Sequence, residues 1–247
     1  MHASELFQKQ PLNFAHRGFT QSAPENSLAA FKNAMELGVD GIELDIRTCK
    51  SGEIVVFHDS YLSRMTSGKG FIKNRTLAEI KRQRLLFQNQ ETREQIPTLE
   101  EVIGLTKGKM FLNIEIKTNG LPGSNIEEKL VKLLYRCRVE REVIISSFNP
   151  LVVRRMKKID ATLLTGYLID KKIKIKNTEI FLSKLTGAKA IHLEKSLAKE
   201  ALLKKMHEFG FYSMIWTVNE KSDMQSLMNL NVNGIISDRP DLLKPLT

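Results

Sequence analysis

Gly41-Ile42-Glu43-Leu44-Asp45-Ile46-Arg47-Thr48-Cys49-Lys50-Ser51-Gly52-Glu53-Ile54-Val55-Val56-Phe57-His58-Asp59 decides the fold. It holds two apolar runs, Gly41–Ile46 and Ile54–His58, with only a short Thr48–Gly52 turn between them. No helix fits in that gap, so the two runs form a hairpin. Working outward, further runs rich in Ile, Val and Phe occur at Leu12–His16, Met110–Lys117, Val143–Phe148, Leu163–Ile169, Ala188–Leu193, Tyr212–Val218 and Gly234–Ser237. Near-continuous apolar runs are the mark of strands buried on both faces. With the hairpin's second run set aside, eight strands alternate with helices. That alternation predicts a (β/α)8 barrel of the TIM type, with a doubly wound open sheet second. No GxGxxG follows a strand to favour the open sheet. The chain is expected to be one domain over residues 1–247, with a small insertion at about 59–97 after the hairpin.

The helices carry their own signals. Asn26 is expected to cap a helix whose apolar face is Leu28, Phe31 and Met35 and whose end is Gly38. Thr98-Leu99-Glu100-Glu101 reads as a capping box. Ile126, Leu130, Leu133, Leu134 and Cys137 form an apolar stripe. Further helices are expected from Thr76 to Leu86, from Ser196 to Phe209, and from Glu220 to Leu230.

The 247 residues are 42% hydrophobic and 27% charged, an ordinary globular balance. No run approaches the ~18 apolar residues of a membrane helix, so no stable membrane insertion is expected. Met1 to Gln10 lacks an apolar core followed by small residues, and no secretory signal is expected. Cys49 and Cys137 are too few for a disulfide framework, which points to a reducing, cytoplasmic compartment. Lys plus Arg is 38 against 28 acidic residues, a net charge of +10, which favours encounters with anions. The basic clusters Arg154–Lys158 and Lys171–Lys176 have no interleaved aromatics, so no nucleic-acid partner is expected.

In such a barrel the reacting groups sit at the C-terminal ends of the strands. Glu43 and Asp45 are two residues apart and share one face of their strand, as do Glu115 and Lys117. Three carboxylates from two neighbouring strands cannot all stay ionised without a cation, and hard oxygen ligands favour Mg2+ or Ca2+. Ion pairing among Glu115, Lys117 and Arg17 is the purely structural alternative. His16 and His58 end two runs at the same mouth and are candidates for proton transfer. Arg17 and Lys117 suit a phosphate, or serve as partners of Glu43 and Glu115. Trp216 is a candidate wall for a small polyol or a core residue, with Phe148 the same but weaker. Asp238 is placed near the pocket or in a turn. His2, His192 and His207 lack comparable company.

These motifs resemble the glycerophosphodiester phosphodiesterase family. The resemblance runs through His16-Arg17-Gly18, Pro24-Glu25-Asn26-Ser27, Gly38–Asp45, Val55–Asp59, Ile96–Glu101, Asn113–Lys117, Ile145–Phe148, Trp216–Asn219 and Gly234–Asp241, in order along nearly the whole chain. Ser27 stands where that family usually has Thr, and Cys49-Lys50-Ser51-Gly52 replaces its usual Thr-Lys-Asp-Gly turn. The resemblance implies hydrolysis of small-molecule glycerophosphodiesters to an alcohol and sn-glycerol 3-phosphate. It implies His16 and His58 as the acid–base pair, and Glu43, Asp45 and Glu115 as ligands of one divalent cation. It also implies Arg17 and Lys117 at the phosphate, with Trp216 lining the glycerol side. Two alternatives are a lysophospholipase D-type enzyme on long-chain substrates and a non-catalytic binding protein on the same scaffold. An apolar lip in the insertion, drawn from Phe71, Ile72, Leu85, Leu86 and Phe87, would mark the first; loss of a histidine or carboxylate would mark the second.

Overall fold

The computed structural model describes residues 6–7, 11–118, 125–171 and 178–246. Eight parallel strands close on themselves: β1 (Leu12–His16), β2 (Gly41–Thr48), β6 (Phe111–Ile116), β7 (Val143–Ser147), β8 (Leu164–Ile169), β9 (Ala190–Glu194), β10 (Tyr212–Trp216) and β11 (Gly234–Ser237). The β1–β2 and β1–β11 pairings complete the ring. β3 (Ile54–Val56) pairs antiparallel with β2, as the short turn requires. The fold is the expected (β/α)8 barrel.

Alternation along the strands separates two environments. Ile42, Leu44 and Ile46 of β2 and Leu112, Ile114 and Ile116 of β6 face outward into an apolar layer shared with the helices. That layer includes Phe31 and Ala34 of α1 (Leu28–Leu37), Val102 and Ile103 of α3 (Leu99–Thr106), and Leu130 and Leu134 of α4 (Ile126–Cys137). The barrel interior is filled by Leu12, Phe14, Ile144, Leu164, Met214 and Ile236. Period-2 burial of this kind leaves every second residue of β2 and β6 pointing inward at the mouth, where the apolar filling stops.

Several local expectations are corrected. The cap of α1 is Ser27, whose hydroxyl accepts from the Ala30 N–H at 3.1 Å; Asn26 lies one residue outside with φ 56°. The expected 76–86 helix is only α2 (Leu77–Lys81), behind a capping box of Thr76 and Glu79. Leu86 instead lies in β4 (Arg84–Phe87), which pairs antiparallel with β5 (Gln90–Gln95) away from the barrel. Its two-residue turn is Gln88-Asn89, both with positive φ. The usual sequence signal for that turn is Asn-Gly, so the hairpin gave little warning. The helix expected from Ser196 begins at Glu200, after one 3-10 turn, Lys195–Leu197. The capping box of Thr98 and Glu101 forms as expected.

The insertion has its own small core of Leu62, Ile72, Ile80, Leu85 and Ile96, which packs on Val55 and Phe57 of the hairpin. Ile72 and Leu85 are therefore not part of an exposed lip. Phe71 is exposed and meets Tyr61 edge to face at 5.1 Å. None of the five proposed lip residues lines the cavity at the barrel mouth. Of the basic clusters, Arg155 is bound to the buried Glu127 and Met156 is buried. Residues 172–176 of the second cluster, and His2, lie outside the described residues. Among the described residues no helix is long and apolar enough to cross a membrane.

Candidate active site

Parallel register places the charged residues side by side. His16 of β1 is opposite Glu43 of β2, and Asp45 of β2 is opposite Glu115 of β6. Glu43, Asp45 and Glu115 each bring an oxygen to within 4.8 Å of the others, and all three are buried. Lys117 reaches Glu115 Oε1 at 2.6 Å and Asp45 Oδ1 at 3.1 Å. The Arg17 backbone N–H donates to Glu43 Oε2 at 3.2 Å, while its side chain pairs with Glu25 at 3.0 Å and Asp45 at 3.3 Å. Arg17 thus pairs with Asp45 and Glu25, not through its side chain with Glu43 as the structural alternative held. Arg17 and Gly18 both have positive φ, and a Cβ on Gly18 would lie 2.8 Å from the Ala30 backbone. Glycine there lets the turn after β1 press against α1 and aim Arg17 into the mouth.

The three carboxylates are driven apart in proton affinity. Burial, then Asp45 and Glu115, pushes Glu43 well above the usual carboxylate range. Burial raises Glu115 to about 7 against the pull of Lys117. Burial also acts on Asp45, but Lys117, Arg17, His58 and the Asn26 amide outweigh it and hold Asp45 at about 2. Asn26 was not among the expected site residues. Its Nδ2 donates to Asp45 Oδ2 at 2.9 Å, and its Oδ1 accepts the Asp45 N–H at 3.3 Å. Glu43 and Glu115 hold protons more readily than free carboxylates because the three acids are crowded and buried, a strain that a bound cation would relieve, and the all-oxygen donor set fits a divalent cation.

Both histidines are tied at Nδ1. His16 Nδ1 is 2.7 Å from Asp238 Oδ1, and His58 Nδ1 is 2.6 Å from Asp59 Oδ1. Asp238 is itself held by Asn219, which donates to its Oδ2 at 2.8 Å and accepts its N–H at 2.9 Å. The His58 carbonyl accepts from Arg47 Nε and NH2 at 2.9 and 2.7 Å. A carboxylate at Nδ1 fixes the tautomer with Nε2 free. His16 Nε2 lies 3.8 Å from Glu43 Oε2, on the cavity side. Burial lowers the His58 pKa against the pull of Asp45.

The cavity holds about 200 Å³ and is lined by both histidines, Arg17, Glu43, Glu115 and Lys117 on one side. Phe148, Leu168, Trp216 and Ile236 form the apolar side. Trp216 meets Phe148 edge to face at 5.5 Å, and its Nε1 donates to the His192 carbonyl at 3.1 Å, which fixes the indole. Asn113 and Ser146 also line the cavity, each with a buried, unpartnered oxygen. His192 is fully buried, with neither ring nitrogen hydrogen-bonded, and does not line the cavity. His207 lies apart, 3.3 Å from Ser213 Oγ. The structure brings together the eight residues expected to act, with Phe148 and Asp238 beside them, while Glu25, Asn26, Asp59 and Arg64 were not among the expected site residues. Asp238 lies near the pocket, one of its two expected placements, and Asp59, next in sequence to His58, could have been found as that histidine's partner.

Residues 16–242 match the family model described as the glycerophosphoryl diester phosphodiesterase family. A glycerophosphodiester phosphodiesterase of Caldanaerobacter subterraneus subsp. tengcongensis is 40% identical over 235 residues, spanning 94% of this chain and 96% of its own. One from Bacillus altitudinis is 32% identical, with 92% and 94% covered. Among solved structures, an Oleispira antarctica phosphodiesterase in complex with its product sn-glycerol-3-phosphate superimposes with a TM-score of 0.83. It is 28% identical, with 95% of this chain and 96% of that chain covered. With the match running from the first catalytic-face strand to the last helix, the chain belongs to the glycerophosphoryl diester phosphodiesterase family and is a phosphodiester hydrolase.

Proposed function

We propose that the chain, acting as one domain, hydrolyses glycerophosphodiesters to an alcohol and sn-glycerol 3-phosphate, with His16 and His58 as the acid–base pair. The observation that carries this is the pair of imidazoles. Each is clamped at Nδ1 by a carboxylate, and both line one cavity with Arg17, Lys117 and the acidic cluster. The product of the Oleispira antarctica relative supports the glycerol 3-phosphate half of the substrate.

Glu43, Asp45 and Glu115 would hold one divalent cation, Mg2+ or Ca2+. When bound, it supplies Lewis-acid polarisation of a phosphoryl oxygen. Arg17 and Lys117 bind the non-bridging phosphoryl oxygens, Arg17 as a planar fork and Lys117 as a point charge. One imidazole takes the proton of the attacking oxygen, either water, or the substrate's own glycerol hydroxyl to give a cyclic phosphate that water then opens in a second step. The other protonates the departing alkoxide from Nε2. Asp59 and Asp238 accept a hydrogen bond from Nδ1–H and stabilise the imidazolium form while the proton stays on the ring. Trp216 and Phe148 cover the carbon face of the glycerol and exclude water. A cytoplasmic setting agrees with two free thiols, Cys49 and Cys137.

Purified protein assayed on several glycerophosphodiesters, with and without chelator, tests this. Release of glycerol 3-phosphate that stops on chelation is expected. Release of the free alcohol's phosphate instead, or turnover that ignores chelation, overturns it. Long-chain lysophospholipids are expected to be poorer substrates, since the apolar residues of the insertion do not reach the cavity.

A further inference from the structure

Arg64 ends a 3-10 turn, Leu62–Arg64, in the insertion and does not line the cavity. Its guanidinium nevertheless grips two carboxylates that bond to Arg17 and His58, which do line it. NH1 and NH2 donate to Glu25 Oε2 and Oε1 at 3.0 and 2.5 Å, and Nε donates to Asp59 Oδ2. Glu25 Oε1 also accepts from Arg17 NH1 at 3.0 Å. Asp59 gives its other oxygen, Oδ1, to His58 Nδ1. A continuous chain of charge-assisted bonds thus runs His58–Asp59–Arg64–Glu25–Arg17. It joins a group that moves protons to a group that binds phosphate, from two different strand ends.

We propose that Arg64 is a positioning residue for the reaction, holding His58 through Asp59 and Arg17 through Glu25 and so setting the spacing of the two groups. The proposal rests on the roles assigned above to His58 and Arg17.

Three features support it. First, the donors come from a rigid fork, so both carboxylates are engaged by one plane; a lysine ammonium cannot span them in that geometry. Second, the fork has a fixed base. Leu62 is buried in the insertion core, its N–H donates to the Gly70 carbonyl at 3.0 Å, and its carbonyl accepts from Thr66 Oγ1 at 3.0 Å. Third, both carboxylates are held below the usual range despite partial burial, Glu25 by Arg64 and then Arg17, and Asp59 by Arg64 and then His58. Without Arg64, the one side-chain hydrogen bond left to Asp59 is that to the imidazole it orients, and the two can swing together. Glu25 keeps only Arg17, which Asp45 also pulls at 3.3 Å. The insertion therefore reaches the chemistry at both ends of this chain, through Asp59 at His58 and through Arg64 at Glu25.

The experiment is a mutant cycle on kcat/KM for an alkyl glycerophosphodiester, with melting temperatures alongside. Arg64→Gln is expected to lose about 10–100-fold, the usual cost of removing an orienting partner. Arg64→Lys, which keeps the charge without the fork, should recover only part of that loss. Millimolar guanidinium should restore Arg64→Gln severalfold but leave wild type unchanged. In an Asp59→Asn, Glu25→Gln background, where the carboxylates are already gone, Arg64→Gln should cost less than about threefold. A full additive loss in that background overturns the proposal, as does an undiminished rate in the wild-type background. A loss that tracks a fall in melting temperature and ignores guanidinium assigns Arg64 a structural role and overturns it too. If the glutamine variant does not fold, Arg64→Lys carries the same cycle. Full activity in His58→Ala and Arg17→Lys would sink the roles of those groups; losses there, with none in Arg64→Gln, would sink only the positioning role.

Discussion

Asn26 and Asp45 clasp each other twice, amide to carboxylate at 2.9 Å and backbone N–H to amide oxygen at 3.3 Å, across 19 residues of sequence. The clasp fixes the rotamer of a carboxylate that is 1% exposed and leaves its other oxygen turned toward Lys117. Asn26→Asp tolerates the same positive φ but replaces the amide donor with a second anion. We expect the half-saturating concentration of activating cation to rise about 10–100-fold, with little change in melting temperature. A calorimetric titration of Mg2+ or Ca2+ checks this, and an unchanged affinity would reduce Asn26 to a turn residue.

Chelation should abolish hydrolysis, and Mg2+ or Ca2+ should restore it. The acidic cluster also predicts a stability signature that needs no assay of activity. At 100 times its Kd the cation should stabilise the wild type by about 2.7 kcal/mol, or roughly 5–10 °C in Tm for a chain of this size. Glu43→Gln removes one of three crowded carboxylates. Its Tm in EDTA should equal or exceed that of the wild type, and its gain on adding cation should be lost. A cation-induced gain as large as the wild type's would argue that Glu43 is no ligand.

Arg17→Lys retains charge but cannot hold Glu25, Asp45 and a phosphoryl oxygen at once. We expect kcat/KM to fall by at least about tenfold, roughly 1.4 kcal/mol of transition-state stabilisation. Steady-state kinetics decide it, and an unchanged value would leave Arg17 a structural ion-pair partner.

His16→Ala and His58→Ala should each lower kcat by about 10²–10⁴-fold, and the double variant should be little worse than the poorer single one. A nitrophenyl diester needs little protonation of its leaving group. The variant lacking the general acid should therefore be largely rescued on it, while the variant lacking the base should not. Asp238→Asn and Asp59→Asn should each reproduce a milder form of the loss at the histidine they orient. Losses below about threefold in both alanine variants would end the two-histidine mechanism.

His192 offers a pH test of stability. Burial lowers its pKa from 6.5 to about 3, so the folded protein refuses a proton that the unfolded chain accepts. Stability is complete above the unfolded pKa and falls as pH drops below 6.5, by up to ~1.4 kcal/mol per unit until about pH 3. His192→Leu should remove this component, so its curve of unfolding free energy against pH should be flatter by about one proton between pH 6 and 4. Denaturant melts across that range provide the measurement, and parallel curves would contradict it. A Cβ on Gly166 would lie 2.4 Å from His192 Nε2, so Gly166→Ala should destabilise strongly whatever the pH.

The strand–helix alternation and the shared faces of the charged residues are legible in the chain itself, and the alternation favours a barrel over an open sheet. Strand alternation has a period of two, so Glu43 with Asp45 and Glu115 with Lys117 had to share faces, and the five-residue turn after Thr48 left room only for a hairpin. These are local consequences of backbone geometry, legible without partners. What closes around those charges was decided by tertiary structure. Asp238 reaches His16 across 222 positions only because β11 pairs with β1 when the ring closes. Arg64 reaches Glu25 across 39 positions because the insertion folds its own core against the hairpin. Asn26 resembles a helix cap in sequence, yet Ser27 takes that role and frees Asn26 for Asp45. Hydrogen-bond partners far apart in the chain leave no periodic trace, because they are selected by where the closed sheet delivers each strand end and not by the residues beside them.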